Sequence, residues 1–297
     1  MRKVLTVSNL SKYYGSFLAL SDLSFHVEEG SVFGLLGPNG SGKTTTLGIL
    51  LGILPSSKGA FEWFESSNDS AQRKRIGALV ETPNFYDYLS GEKNLKIAAE
   101  IKGVPASDID RVLQFVRLHD RKKHPFNAYS LGMKQRLAIA SALLGEPEVL
   151  VLDEPTNGLD PQGISEIREL IQRVSANGST IIIASHMLDE VEKVCTDVAI
   201  IKKGKLLVQG KVDSILKDEK QVIVRSSDLD ILEKILSENP NIIKVVRKSD
   251  ALQLKVADDF SNEEINRLAA DRGVFLSHLS SQKKNLETQF LEITAGK

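Results

Sequence analysis

The segment VFGLLGPNGSGKTTTLGIL, residues 32–50, constrains the fold of this chain more than any other stretch. An apolar run, a glycine-rich loop and a helix-compatible stretch from Thr45 follow one another in the order strand, loop, helix. Residues 37–44 fit Gly-x-x-x-x-Gly-Lys-[Ser/Thr], the P-loop that wraps backbone N–H groups around nucleotide phosphates. The glycines permit positive φ and close backbone approach, Lys43 reaches the β- and γ-phosphates, and the Thr44 hydroxyl can ligate Mg²⁺. Ordinary residue usage gives this pattern by chance in about 1% of chains of this length, and the flanking strand and helix lower that further. The nucleotide-binding set is therefore Gly37, Pro38, Asn39, Gly40, Ser41, Gly42, Lys43, Thr44 and the adjoining Thr45.

At 297 residues the chain can bury a full core and has the length for two domains. Its formal net charge of −1 offers no bulk attraction to a polyanion, so no nucleic-acid partner is expected. The single cysteine, Cys195, excludes an internal disulfide and a cysteine-rich metal site; it reads as a small buried hydrophobe near a helix end. No apolar run approaches the roughly 20 residues that a bilayer-spanning helix needs. The start reads as a strand, Val4-Leu5-Thr6-Val7, rather than as a signal-peptide core. A soluble cytoplasmic chain is expected, any membrane part being another polypeptide.

Unbroken apolar runs at 31–36, 149–152, 180–184 and 198–201 alternate with helical stretches, as strands buried on both faces of an α/β layer fold do. Residues 84–145 read as a helical subdomain, with helices at 92–101, 108–116 and 132–144. A hairpin at 198–210 closes a first domain of residues 1–215. A charged linker ends at 217–220, and a second domain occupies 216–297. It reads as strand 221–225, helix 229–238, strands 242–247 and 252–256, helix 262–272, strand 274–279 and helix 285–293. This βαββαβ order predicts a small ferredoxin-like α+β domain with a terminal helix.

The stretch EVLVLDE at 148–154 delivers two consecutive carboxylates at the carboxyl end of a buried strand, where open α/β sheets bind ligands. Adjacent side chains on a strand face opposite ways, so the two acids have separate roles. Asp153 is assigned to Mg²⁺, like the acid at this place in P-loop NTPases, and Glu154 to orienting or deprotonating the attacking water. Ser130 and Gly132 open a predicted helix whose N-terminus is a natural anion site. Ser130 reads equally as a plain helix cap.

Behind the loop stand YSLGMKQRL at 129–137, LDEPTNGLDP at 152–161 and IASHMLDEVE at 183–192. With these stretches in this order, residues 3–215 resemble the nucleotide-binding domain of ABC transporters, an α/β P-loop NTPase with a helical subdomain. The resemblance implies a Walker A motif at 37–44, a Q-loop at Glu81, a signature at 129–133, a Walker B motif at 149–153, a D-loop at 157–160 and an H-loop at His186. It implies ATP sandwiched between one P-loop and the Ser130–Gly132 signature of a second ATPase subunit, with Asp160 crossing the dimer interface. His186 then contacts the γ-phosphate and positions water. Tyr14, or alternatively Tyr13, stacks on adenine.

Two positions depart from the family pattern. Glu81 stands where the family usually has Gln, and the signature reads YSLGM, so Leu131 replaces a glycine and Met133 a glutamine. Both changes occur together in the branch that resembles bacitracin-resistance and lantibiotic-immunity exporters. A carboxylate at position 81 can still ligate Mg²⁺. Phe85, Tyr86 and Tyr88 follow where the family meets the coupling helix of its membrane subunit. Aromatics with a polar end suit such an interface, while core packing explains at least one of the three. The stretch NLETQFLEIT at 285–294 is similar to the ending of exporter ATPases in this branch. The resemblance thus implies an ATP-hydrolysing subunit, peripheral on the cytoplasmic face of the membrane. It would act as a homodimer on multi-span permease subunits that export peptide antibiotic, lipid or other hydrophobic cargo. The competing class is a soluble ABC ATPase acting on ribosomes or DNA. Such chains usually carry two ATPase domains or a long coiled coil, whereas this one has a single P-loop and no long heptad run. A P-loop kinase or GTPase would leave the signature and His186 unexplained.

Overall fold

Apolar runs that no solvent-facing strand could tolerate organise the chain around a buried parallel sheet. The structure is a computed structural model that describes residues 2–65, 70–81, 83–216, 221–257, 260–282, 286 and 289–290. Two compact units are present, Met1–Val212 and Asp213–Lys297. The first opens with β1 (Lys3–Tyr14), β2 (Phe17–Glu28) and β3 (Val32–Leu36), followed by α1 (Lys43–Leu50), β4 (Lys58–Trp63), α2 (Ser70–Arg73) and β5 (Ile76–Leu79). Next come α3 (Gly91–Lys102), α4 (Asp108–Phe115) and α5 (Leu131–Leu143). The unit continues with β6 (Val149–Asp153), α6 (Pro161–Ala176), β7 (Thr180–Ser185), α7 (Leu188–Glu192), β8 (Asp197–Lys202) and β9 (Lys205–Lys211).

Every residue of β3, β6 and β7 is buried, as strands covered on both faces must be. The main sheet runs β5-β6-β7-β3-β8-β9 and is parallel except for the β8–β9 hairpin. This order puts the carboxyl ends of β3, β6 and β7 on one edge, the edge where open α/β sheets bind ligands. A second, antiparallel sheet, β2-β1-β4, adds Leu5, Val7, Leu20, Leu23 and Val27 to a core shared with Phe33, Leu35 and Trp63. The apolar pattern foretells only the first residues of β1, because repeated register shifts interrupt its ladder with β2 and break the alternation. The short edge strand β5 is likewise hidden in the sequence. There a Cβ on Gly77 would meet the Ala142 carbonyl oxygen at 2.1 Å, so glycine is what lets α5 approach.

The second unit, reached through α8 (Val212–Leu216), contains β10 (Gln221–Ser226), α9 (Leu229–Ser237), β11 (Ile242–Arg247), β12 (Leu252–Val256), α10 (Asn262–Ala270) and β13 (Leu276–Gln282). Its sheet is antiparallel in the order β11-β12-β10-β13, the ferredoxin-like arrangement. Leu232, Leu236, Ile265 and Ala269 of the helices share a core with Val222, Val224, Leu252 and Leu254 of the strands. The last strand starts later than its apolar residues suggest, since Val274 and an exposed Phe275 remain between α10 and β13. The linker run 217–220 lies outside the described residues, as does most of the helix predicted at 285–293. Among the described residues no helix is long and apolar enough to cross a membrane.

Candidate functional site

The loop between β3 and α1 takes a path that only glycine follows without strain. Gly40 and Gly42 have φ of +77° and +105°, and a Cβ on Gly42 would press on Leu20 Cδ2 at 2.5 Å. Gly42 caps α1 with no side-chain hydrogen bond, so the first-turn N–H groups depend on a bound anion or water for partners. Lys43, 6% exposed, is folded into this loop. Its Nζ donates to the Gly37 carbonyl at 2.9 Å and lies 3.2 Å from Glu154 Oε1.

Asp153 ends β6 beside β7, and His186 follows β7 directly, so Asp153, Glu154 and His186 emerge together at the sheet edge. Glu154 does not continue the strand. Its φ is +47° and its N–H donates to the Ala184 carbonyl at 2.9 Å. The two acids are therefore separated by a left-handed turn, which corrects the expectation of simple strand alternation. This turn gives each Glu154 oxygen a different partner. Oε1 faces Lys43, while Oε2 lies 2.8 Å from His186 Nδ1 and accepts from the His186 N–H at 3.4 Å.

Asp153 is 4% exposed, and its Oδ1 has no hydrogen-bond partner among the described residues. Burial pushes its carboxyl above the usual carboxylate range. A hydrogen bond from Thr44 and the charge of Lys43 pull it back, while the charges of Glu154 and Glu81 push it further up. A buried carboxylate oxygen without a partner, beside a hydroxyl, is the hard-oxygen donor set that suits Mg²⁺. Among the described residues no three His, Cys, Asp or Glu side chains converge as a metal site. An ion here would therefore complete its shell with Thr44, phosphate oxygens and water. Glu81 is exposed just beyond β5, in the left-handed region at φ +62°.

Ser130 caps α5, its Oγ accepting from the Met133 N–H at 3.3 Å, and Gly132 lies in the first turn of that helix. Asp160 caps α6, accepting from the Gly163 N–H at 2.9 Å. Tyr13 and Tyr14 are both exposed at the end of β1, and Lys12 Nζ sits 5.2 Å over the Tyr14 ring. Phe85 turns inward against Phe126, with ring centroids 5.2 Å apart, whereas Tyr86 and Tyr88 stand out at 53% and 75% exposure. Nothing in the motifs marks Asn94, yet its buried amide fixes this turn, accepting from the Tyr86 N–H and donating to the Tyr86 carbonyl. The one sequence signal for it is a lone amide in the first turn of an amphipathic helix. Cys195 is buried just beyond α7, and burial raises its thiol far above the ordinary range.

The sequence model of the family described as ABC transporter matches residues 20–157. The chain is 36% identical to the bacitracin transport ATP-binding protein BcrA of Enterococcus faecalis, over 100% of this chain and 98% of that protein. It is 39% identical to the lantibiotic transport ATP-binding protein SrtF of Streptococcus pyogenes, over 71% of this chain and 92% of the relative. Among solved structures, cbiO1 from Clostridium perfringens, part of the ABC transporter complex cbiONQ, is similar with a TM-score of 0.67 at 30% identity. That match covers 81% of this chain and 97% of the other.

Proposed function

The chain belongs to the ATP-binding subunits of ABC transporters, and we propose that it works as a homodimer powering export of a peptide antibiotic through separate multi-span membrane subunits. It binds and hydrolyses ATP, and the hydrolysis is coupled to transport. The cargo class is supported by the relatives named for bacitracin and lantibiotic transport.

The cluster of Lys43, Glu154 and His186 carries the mechanistic reading. Lys43 and the first-turn N–H groups of α1 neutralise phosphate charge. An arriving γ-phosphate competes with Glu154 for the Lys43 ammonium. Glu154, still held by His186, can then orient and deprotonate the water that attacks the γ-phosphorus. Thr44, Asp153 and Glu81 would hold Mg²⁺, which when bound neutralises charge on the phosphates. Ser130 and Gly132 would meet the partner subunit's nucleotide, Asp160 would cross the interface, and Tyr14 would stack on adenine. Tyr86 and Tyr88 present aromatic surface for a membrane subunit, with the chain peripheral on the cytoplasmic face.

Tagged full-length protein, recovered from gently solubilised membranes, is expected to bring down a multi-span protein in equal amounts. Expressed with that partner in a sensitive bacterium, it should raise tolerance to bacitracin or a lantibiotic, and Glu154→Gln should abolish the gain. Recovery of ribosomes or DNA-bound proteins instead, with ATPase intact, would overturn the transporter assembly. Unchanged tolerance with the permease bound would overturn the cargo class alone.

A further inference from the structure

Leu131 stands where the resemblance expects a glycine, and no chemical step described above uses it. It opens α5 with 48% of its surface exposed. Its surroundings give it a part to play. A Cβ built on Gly158 would lie 3.3 Å from Leu131 Cδ2, and Gly158 adopts φ of +76°. In return, a Cβ on Gly132 would meet Leu159 Cδ2 at 4.0 Å. Leu131 therefore fills the space that a side chain at 158 would take, while Leu159 only borders Gly132 and lies nearer Gly163, so the first turn of α5 and the turn 157–160 stand side by side. That turn is fastened at its other side to the catalytic strand's end. The Asn157 N–H donates to the Glu154 carbonyl at 3.1 Å, and the Leu159 N–H donates to the Thr156 carbonyl at 3.3 Å.

We propose that Leu131 is a positioning residue that locks the turn 157–160 onto the N-terminus of α5, so that the helix and the backbone bearing Glu154 move as one body. The inference rests on the ATP-site reading above. A glycine at 131 would let α5 shift toward a partner's nucleotide without carrying the turn. The leucine side chain occupies the space beside Gly158, so a shift of α5 is passed to Asn157 and, through its hydrogen bond, to Glu154. The left-handed Gly158 supplies the close approach, because any side chain there would be strained and would crowd Leu131.

The test compares full-length Leu131→Ala and Leu131→Met, by steady-state ATPase kinetics and by hydrogen exchange at the Asn157 and Leu159 amides. Alanine keeps the helix start while deleting the contact, and methionine restores apolar reach. Leu131→Ala is expected to lower kcat about 5-fold, the scale of a coupling group outside the reacting centre. Its KM for ATP should stay within about two-fold, since nucleotide contacts are untouched. Exchange at both amides should speed up in the alanine variant and return toward wild type in Leu131→Met. A raised KM with kcat intact would make Leu131 a nucleotide contact instead, and overturn the proposal. Wild-type kcat and exchange in Leu131→Ala, or equal impairment in Leu131→Met, would overturn it too. Failure of the underlying reading is distinguishable, because Glu154→Gln would then leave turnover unchanged.

Discussion

Asp153→Asn should make the nucleotide-free first unit more stable while removing the carboxylate proposed to hold Mg²⁺. The carboxylate is almost fully buried, one oxygen is without a partner among the described residues, and Glu154 and Glu81 repel it. Leaving a buried polar group unsatisfied costs about 1–3 kcal/mol, more when it is charged. The amide removes the charge, but with its oxygen kept on the Thr44 hydroxyl its NH2 is left without a partner, so roughly 1–1.5 kcal/mol should be recovered. For a unit of this size that corresponds to about 2–6 °C in melting temperature. Trp63, the chain's only tryptophan, is fully buried in the first unit, so its fluorescence follows that unit alone. The pH dependence has a definite sign. The folded-state carboxyl lies above its unfolded value, so the folded state binds more protons and the penalty of the wild type acts above the folded pKa. It is relieved as pH falls through that pKa, so the gap between variant and wild type should narrow on acidification. With Mg²⁺ and ATP the order should reverse, because only the wild type gains fully from binding. A variant that melts at or below wild type near neutral pH would refute the reasoning, as would a gap independent of pH.

Tyr88→Ala should leave melting and basal ATPase unchanged but weaken capture of the membrane partner. Phe85→Ala, which loses packing on Phe126, should instead destabilise the fold by about 2 kcal/mol, roughly half a full core deletion; equal effects of the two on capture would remove the distinction. Lys102 is exposed along its length, but its amine end is tucked against α5, and this desolvation draws the ammonium down to about 8 against the opposing charge of Asp108; Nζ donates to the Ser141 and Ala142 carbonyls at the end of α5. Between that value and the ordinary lysine range the unfolded chain binds more protons, so this group makes stability rise with pH. Lys102→Met should flatten that limb of the pH profile, and an unchanged profile would show the amine to be fully solvated.

Legibility in the sequence follows the range of the forces involved. The β3–loop–α1 unit and the acidic end of β6 are written in contiguous residues, because strand burial and glycine geometry act locally. The second unit's element order is legible for the same reason, α9 and α10 each carrying a clean apolar stripe. Three features lie beyond a linear reading. The β2-β1-β4 sheet is masked by register shifts. The short β5 is defined by what Gly77 allows α5 to do. The contact of Lys43 with Glu154 exists only because β7 sits between β3 and β6 and sets their ends at the right separation. Likewise, a departure such as Leu131 is visible in the sequence, but its engagement with Gly158 needs the third dimension.

Glu154 is proposed to activate water in a site completed by two copies of the chain. The most direct test measures ATP turnover by Glu154→Gln together with its mass by light scattering, with and without ATP. Turnover is expected to fall by about 10²- to 10⁴-fold, the range of a lost general base, while ATP binds and converts the variant to a stable dimer. Turnover at the wild-type rate, or a variant that stays monomeric with ATP bound, would contradict it.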